Sequence, residues 1–378
     1  MLMPTIPPFR SLRGLATGAL LTLASCATQM PAPQDHALSG SRSPGSARAS
    51  ENLTNAYIEP APQSTMVKVH FGTNRKVDEQ AAQRQAPPFF SSEDAGRLSY
   101  GTLQVSVDAN HPVGDIKHSV HLREMPELES EQEFIRQLRD DLAKQSGRNL
   151  LVFIHGYNVS FEKAAKRSAQ LKYDLQFNGE TAFFSWPSQG SLLGYWSDET
   201  AIRNAEPFLE KYLILLARES KARNIYIIAH SMGNRAFGNV FPKVHQALKG
   251  DQCIREIMLA APDIDAEVFR KDIAPRLQYP HCGTTVYSSS RDKALWGSWL
   301  VHGFSHRAGQ KVLGLPGVES VDASSVDTNK LGLGHSYYGE QARLLADLRG
   351  LISGRRPPQR VETLEALHVE NSTWLLRN

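Results

Sequence analysis

Four stretches of the chain are apolar without alternation: residues 150–154 (LLVFI), 182–184 (AFF), 225–229 (IYIIA) and 257–261 (IMLAA), with weaker runs at 284–287 and 318–321. A strand written this way is buried on both faces, as in a parallel sheet. Between these runs the apolar residues recur with helical spacing, over 160–175, 201–218, 234–248 and 336–352. A further helix is predicted after Ser130, which stands three residues before Glu133 in capping-box spacing and precedes an apolar face of Phe134, Leu138 and Leu142. Strands alternating with helices predict an α/β fold, with a mostly parallel central sheet, helices on both faces and right-handed crossovers.

The front of the chain is patterned differently. Residues 66–73 (MVKVHFGT) put Val67, Val69 and Phe71 on one face, and 98–107 and 119–122 alternate in the same way. Such alternation marks half-buried antiparallel strands. Residues 64–128 are therefore expected to form a strand-rich N-terminal extension of the sheet, with a loop over 78–96. The main domain covers 129–353, and 354–378, with Arg355-Arg356-Pro357-Pro358, reads as a loosely attached tail.

Residues 1–26 carry Arg10 and Arg13, an apolar run at 15–23 and the tetrapeptide Leu23-Ala24-Ser25-Cys26, which resembles a bacterial lipobox. This predicts acylation of Cys26, a membrane anchor and a place in the bacterial cell envelope. With Ala27 after the cysteine, the outer membrane or the periplasmic face is expected. Residues 27–63, rich in Pro, Ser, Ala and Gly, read as a tether. No later stretch is long and apolar enough for a span. A net charge of +3 on 378 residues, without a basic stripe interleaved with aromatics, argues against nucleic acid as a partner. Cys253 and Cys282 each precede a predicted strand; in an exported protein they are expected to form a disulfide.

Candidate chemistry gathers at the carboxyl ends of the predicted strands, where open α/β sheets place their sites. Residues 224–233 (NIYIIAHSMG) run from a strand through Ser231 into a helix, close to the G-x-S-x-G pattern of a nucleophile elbow. Ala229 and Gly233 are the small residues two before and two after the serine. Other strand ends carry His155-Gly156-Tyr157-Asn158, Arg291-Asp292 and, before the last helix, Gly334-His335-Ser336. The order Ser231, Asp292, His335 suits acyl transfer, with a nucleophile, an acid that orients the imidazole, and a base. Asp263 is the alternative acid; its other role would be to cap a helix. His302, His306 and His368 compete with His335 but sit less well between the last strand and the last helix. The backbone N–H groups of Met232 and Tyr157 are expected to bind an oxyanion. His155 is expected to orient its loop and His230 to pack beside the elbow. Trp186, Leu192, Tyr195 and Trp196, with Trp296 from residues 295–304 (LWGSWLVHGF), would line an apolar pocket for a small-molecule or lipid ester. At least half of these apolar loop side chains should be core.

The span from about residue 150 to 350 resembles an α/β-hydrolase and, within that superfamily, the DUF900 group of bacterial proteins. The resemblance rests on FIHGYN, FFSWPSQG, IIAHSMGNR, LAAPDID, SSSRDKAL and GHSYY, with FGTNRK and LSYGTLQVSV ahead of them. It implies the fold and serine-hydrolase chemistry without a metal or organic cofactor, and it does not name a substrate. The expected function is a membrane-tethered hydrolase of esters, thioesters or lipids. The alternatives are a non-catalytic envelope lipoprotein that uses the fold for binding, and a peptidase or amidase with the same three residues.

Overall fold

Each continuous apolar run becomes a strand flanked by strands. The computed structural model describes residues 63–191, 194–249, 252–326, 342–368 and 372–377. In chain order these form β1 (Thr65–Val77), α1 (Ala81–Arg84), β2 (Phe90–Val107), β3 (Val120–Leu122), β4 (Glu127–Glu129), α2 (Glu131–Ala143), β5 (Asn149–Ile154), α3 (Phe161–Asp174), β6 (Glu180–Ser185) and α4 (Tyr195–Glu219). There follow β7 (Asn224–His230), α5 (Gly233–Gln246), β8 (Cys253–Ala260), the short α6 (Ala266–Val268), β9 (Gly283–Ser288), α7 (Lys293–Val301), β10 (Glu319–Asp322), α8 (Ala342–Ile352), β11 (Leu364–His368) and β12 (Thr373–Leu376).

The strands make one sheet in the order β11-β12-β10-β9-β8-β7-β5-β6-β1-β2-β3, with β4 also on β2. From β12 to β1 every neighbouring pair is parallel. Antiparallel pairing is confined to the two margins, β11–β12 at one and β1–β4 at the other. Side chains alternate across the sheet. Leu150, Val152 and Ile154 enter a core with Phe134 of α2, Tyr212 of α4 and Phe237 of α5; Leu151 and Phe153 enter a second core with Phe161 of α3 and Leu348 of α8. This is the predicted α/β architecture with both faces covered. The predicted cap of α2 forms on one side: Ser130 Oγ accepts from Glu133 N at 3.2 Å, while the Glu133 carboxylate turns to Arg136.

The N-terminal strands belong to the main sheet. β1 pairs in parallel with β6 from His70↔Ala182 to Thr73↔Ser185, and antiparallel with β2. The expected loop at 78–96 is shorter, because the β1–β2 hairpin extends to Val77↔Phe90 and buries Phe89 and Phe90.

Two expectations need correction. The C-terminal tail is not loose: β12 adds to β10 in parallel register, Ser320↔Thr373 to Asp322↔Leu375, and Leu364 and Leu376 are buried. The Cys253–Cys282 disulfide is not formed; both residues are thiols. The β8–β9 register starts at Glu256↔Gly283, so Cys282 lies level with Arg255 and not with Cys253. Cys253 Sγ turns to Asn224 Oδ1 at 3.6 Å and Cys282 Sγ to Gly283 O at 3.8 Å. Burial, with the nearby Glu256 carboxylate, pushes the Cys282 thiol up to about 12, which disfavours the reactive thiolate.

Candidate functional site

Ser231 is the residue on which β7 turns into α5. Its φ of +52° lies in the left-handed region that non-glycine residues seldom occupy. Such a conformation costs on the order of 1–3 kcal/mol and persists only where the surroundings enforce it. Here Ser231 N donates to Ala260 O at 3.0 Å, and Ser231 O accepts from Asn234 N and Asn234 Nδ2 (both 3.1 Å) and from Asp263 N (3.3 Å). Asn234 Nδ2 also reaches Ala260 O at 3.0 Å, tying the first turn of α5 to the end of β8. The two neighbouring glycines are small for a measurable reason. A Cβ on Gly233 would lie 2.6 Å from His155 O, and one on Gly156 would lie 2.6 Å from the Ser231 Cβ. The His155-Gly156 turn therefore presses directly on the elbow.

The two predicted oxyanion donors are the sequence neighbours of this contact, Met232 after Ser231 and Tyr157 after Gly156. Met232 is the buried N-cap residue of α5, at the helix end where N–H groups lack intrahelical partners and the dipole favours negative charge. Tyr157 follows Gly156, and its ring meets that of Tyr195 edge-on at 5.4 Å. The next residue, Asn158, is also left-handed (φ +59°), and its N–H donates to Asp198 Oδ2 at 3.2 Å. Asp198, buried in the first turn of α4, accepts from Ser188 Oγ (2.5 Å) and Gln189 N (2.7 Å) as well. One carboxylate thus fastens the loop after β5 to the loop after β6. Burial raises its pKa, against the lowering effect of those hydrogen bonds and of Arg75.

Arg75 does the same from the other side. It is buried on β1; its Nε donates to Ser185 Oγ (2.9 Å), Nη1 to Ser91 O (3.2 Å) and Ser188 O (3.1 Å), and Nη2 to Val159 O (2.8 Å). Burial lowers it to about 10, which leaves it charged at neutral pH. His155 fits the role expected of it. Its Nδ1–H donates to the Gly156 carbonyl at 2.8 Å, since a carbonyl only accepts, and Nε2 faces Ser185 Oγ at 3.3 Å. Burial and the charge of Arg75 lower it to about 3, too weak for a general base at neutral pH. His230 is buried at the end of β7, beside Gly156.

The two candidate acids have different surroundings. Asp292, after β9, is fully buried and is the N-cap of α7; its Oδ1 accepts from Ala294 N (3.0 Å) and Leu295 N (3.1 Å). Asp263, after β8, is also buried. Its Oδ1 accepts from Ser298 Oγ (2.6 Å) and Arg307 Nε (2.8 Å), and its Oδ2 from Tyr195 OH (2.7 Å). Burial would raise its pKa, but the Arg307 and Arg235 guanidiniums outweigh that and lower it. Asp265, not Asp263, caps α6.

His335 and Leu192 lie outside the described residues. Of the competing histidines, His302 is fixed at the end of α7 by donation from Nδ1–H to Ser298 O (2.8 Å), and His306 and His368 are exposed. Among the predicted pocket residues, Tyr195 is half-buried between Tyr157 and Asp263, and Trp196 is exposed beside a groove of about 490 Å³ lined also by Pro187, Thr200 and Asn204. Trp186 is corrected to core: it has no accessible surface, stacks on His155 and donates from Nε1 to His155 O at 2.8 Å. Trp296 is likewise displaced, with its ring exposed on the outer face of α7 and its Nε1 on Ser290 O at 2.9 Å. The residues that sequence reasoning passed over are Arg75, Asp198 and Arg307. None of the three had a clear signal: Arg75 stands among other polar and charged residues of β1 (TNRK), and the other two read as ordinary surface charges. A larger cavity, about 620 Å³, lies at the amino ends of β7–β9, around Glu256 and Cys282, at the opposite end of the sheet from Ser231.

Comparison with known proteins finds partial likenesses and one family. An uncharacterized protein of Nostoc sp. (strain PCC 7120) is 28% identical over 142 residues, which cover 31% of this chain and 37% of that one, so the likeness spans well under half the relative's length. Among solved structures, a predicted CIB-like hydrolase from Thermoplasma acidophilum (16% identity, TM-score 0.30) aligns over 54% of this chain and 88% of its own. The RedJ thioesterase from the prodiginine pathway of Streptomyces coelicolor (15% identity, TM-score 0.30) aligns over 56% and 87%. Likenesses of that depth fix neither activity nor substrate. A family model does extend over more than half of the chain, matching residues 130–355 from the cap of α2 to just past α8, and on that match the protein belongs to DUF900, described as an alpha/beta hydrolase of unknown function.

Proposed function

We propose that the protein is a serine hydrolase that cleaves esters through an acyl-enzyme and is tethered to a bacterial membrane through Cys26. The observation that carries the reading is the strained elbow: Ser231 at φ +52°, wedged against Gly156 and braced by three donors on its carbonyl. A turn serine with no task has no reason to bear that strain. In the proposed reaction Ser231 Oγ attacks the carbonyl carbon and His335 takes its proton. The ester C–O bond breaks and His335 returns the proton to the leaving alkoxide. Water, activated by the same imidazole, then releases the acid. His335 holds this role by its sequence position. Asp292 orients the imidazole; the commitment of Asp263 to Arg307 supports that choice. The N–H groups of Met232 and Tyr157 stabilise the oxyanion, and Leu192, Tyr195 and Trp196 meet the substrate.

A fluorophosphonate probe tests the reaction. Wild-type protein should be labelled, and Ser231→Ala should not. A folded wild type that takes no label, or equal labelling of the variant, would sink the reading, and the first result would favour a binding module. For the tether, Cys26→Ala should shift the protein out of the outer-membrane fraction; unchanged fractionation would remove that part.

A further inference from the structure

We propose that the outer face of α7 and the turn behind it form a second membrane contact, an interfacial patch that rests on an anionic lipid surface. The face presents Trp296, Leu300, Val301 and Phe304 to solvent, with Leu300 59% and Phe304 61% exposed. Trp296 and Leu300 are one helical turn apart on α7 and so share a face. The half-buried Trp299 holds the group together, meeting Trp296 edge-on at 5.3 Å and Phe304 at 4.7 Å. The patch continues through His302 to Trp196, 59% exposed, whose ring lies 6.0 Å from the imidazole. Soluble proteins scatter exposed apolar side chains singly; a contiguous group of large ones marks a contact surface.

Charge says which contact. Between residues 290 and 318 the only carboxylate is Asp292, and it is buried as the cap of α7. Arg291 and Lys293, which flank the cap of α7, are exposed. Glu267, an exposed carboxylate on neighbouring α6, is paired with Arg270 and Lys271. Glu199, beside His302, is paired with Arg235, and Asp94 stands in the groove at Trp196, so the cationic side of the patch is the α7 end, at Arg291 and Lys293. A tryptophan-rich apolar face with cations at that end matches an anionic bilayer surface, whose headgroups attract the cations while the rings enter the boundary. A symmetric contact with a second copy fits less well, because an isologous interface would bring the same cations together. α7 begins at the carboxyl end of β9, on the same edge of the sheet as Ser231. Seating it on lipid would set that edge at the membrane surface. The inference does not depend on the hydrolase reading; it rests on the tether proposed at Cys26 only to hold the chain on the vesicle, which co-flotation of the double variant checks separately.

The full chain is reconstituted into vesicles of brominated phosphatidylcholine, with or without phosphatidylglycerol, and tryptophan fluorescence is read. Quenching is expected, stronger with the anionic lipid, and lost in the double variant Leu300→Asp/Phe304→Asp although the N-terminus still holds that protein on the vesicle. Both side chains are exposed, so melting should be unchanged. If the aspartates unfold the chain, the corresponding double serine variant carries the same expectation. Absent quenching, or quenching that survives the substitutions, overturns the proposal. So does a dimer in sedimentation that the double variant disperses while lipid leaves the fluorescence unchanged.

Discussion

A buried carboxylate that neutralises a buried arginine is tied to the structure by that charge. Asp263 is tied in this way: its Oδ1 accepts from Arg307 and Ser298 and its Oδ2 from Tyr195. The Oδ1 of Asp292 is used by two backbone N–H groups of α7. These environments predict opposite phenotypes for one substitution. Asp292→Asn keeps a capping oxygen, so the fold should survive, while turnover of an activated ester should fall by roughly 10⁴-fold, the scale of losing an orienting carboxylate. Asp263→Asn leaves the buried Arg307 without its counter-charge. The cost is about 3–5 kcal/mol of stability, with the protein that remains folded still reacting with fluorophosphonate. Thermal melting and labelling rate, read side by side on both variants, check the assignment. A stable, inactive Asp263→Asn beside an active Asp292→Asn would reverse it.

At the scale of elements, the parallel strands were legible because burial on both faces leaves a continuous apolar run, and β5, β7 and β8 lie where those runs do. The elbow was legible for a related reason, since close backbone approach demands small residues and Ala229 and Gly233 flank Ser231; the packing of Gly156 against it was not. Helix starts were less so. α4 begins at Tyr195, six residues before its apolar periodicity, because Tyr195 and Asp198 face neighbouring loops instead of a core stripe. α7 was hidden altogether. Residues 295–304 read as pocket lining because a helix with an apolar outer face looks, in sequence, like one with an apolar inner face. Trp186 and Trp296 show the same limit. Both are tryptophans near strand ends, yet one donates into the core and the other stands in solvent, and only the tertiary partner of each indole separates them.

At the scale of the whole molecule, the chain is longer than the family core, and the surplus completes the sheet. The family match stops at residue 355, but β10 acquires its outer neighbour only from β12, at 373–376. The connecting segment carries Arg360, 2% exposed, whose Nε lies 3.2 Å from Asp347 Oδ1 and whose Nη2 pairs with Glu319. Thr363 Oγ1 donates to Asp347 at 2.6 Å and Tyr287 OH at 2.7 Å. Ending the chain at Ser353 would remove Arg360 and Thr363 together, leaving a buried carboxylate with only a tyrosine, and would expose an unpaired edge on β10. Breaking a buried ion pair costs about 3–5 kcal/mol, a large part of the 5–15 kcal/mol typical of a folded domain, and an open edge strand invites pairing with other copies. The truncated chain should therefore melt well below wild type and collect in aggregates, although it retains Ser231, Asp292 and His335. Soluble fraction and melting temperature decide the matter. A truncated protein that stays soluble and melts with the full chain would show that the last two strands are an accessory to a sheet already closed at β10.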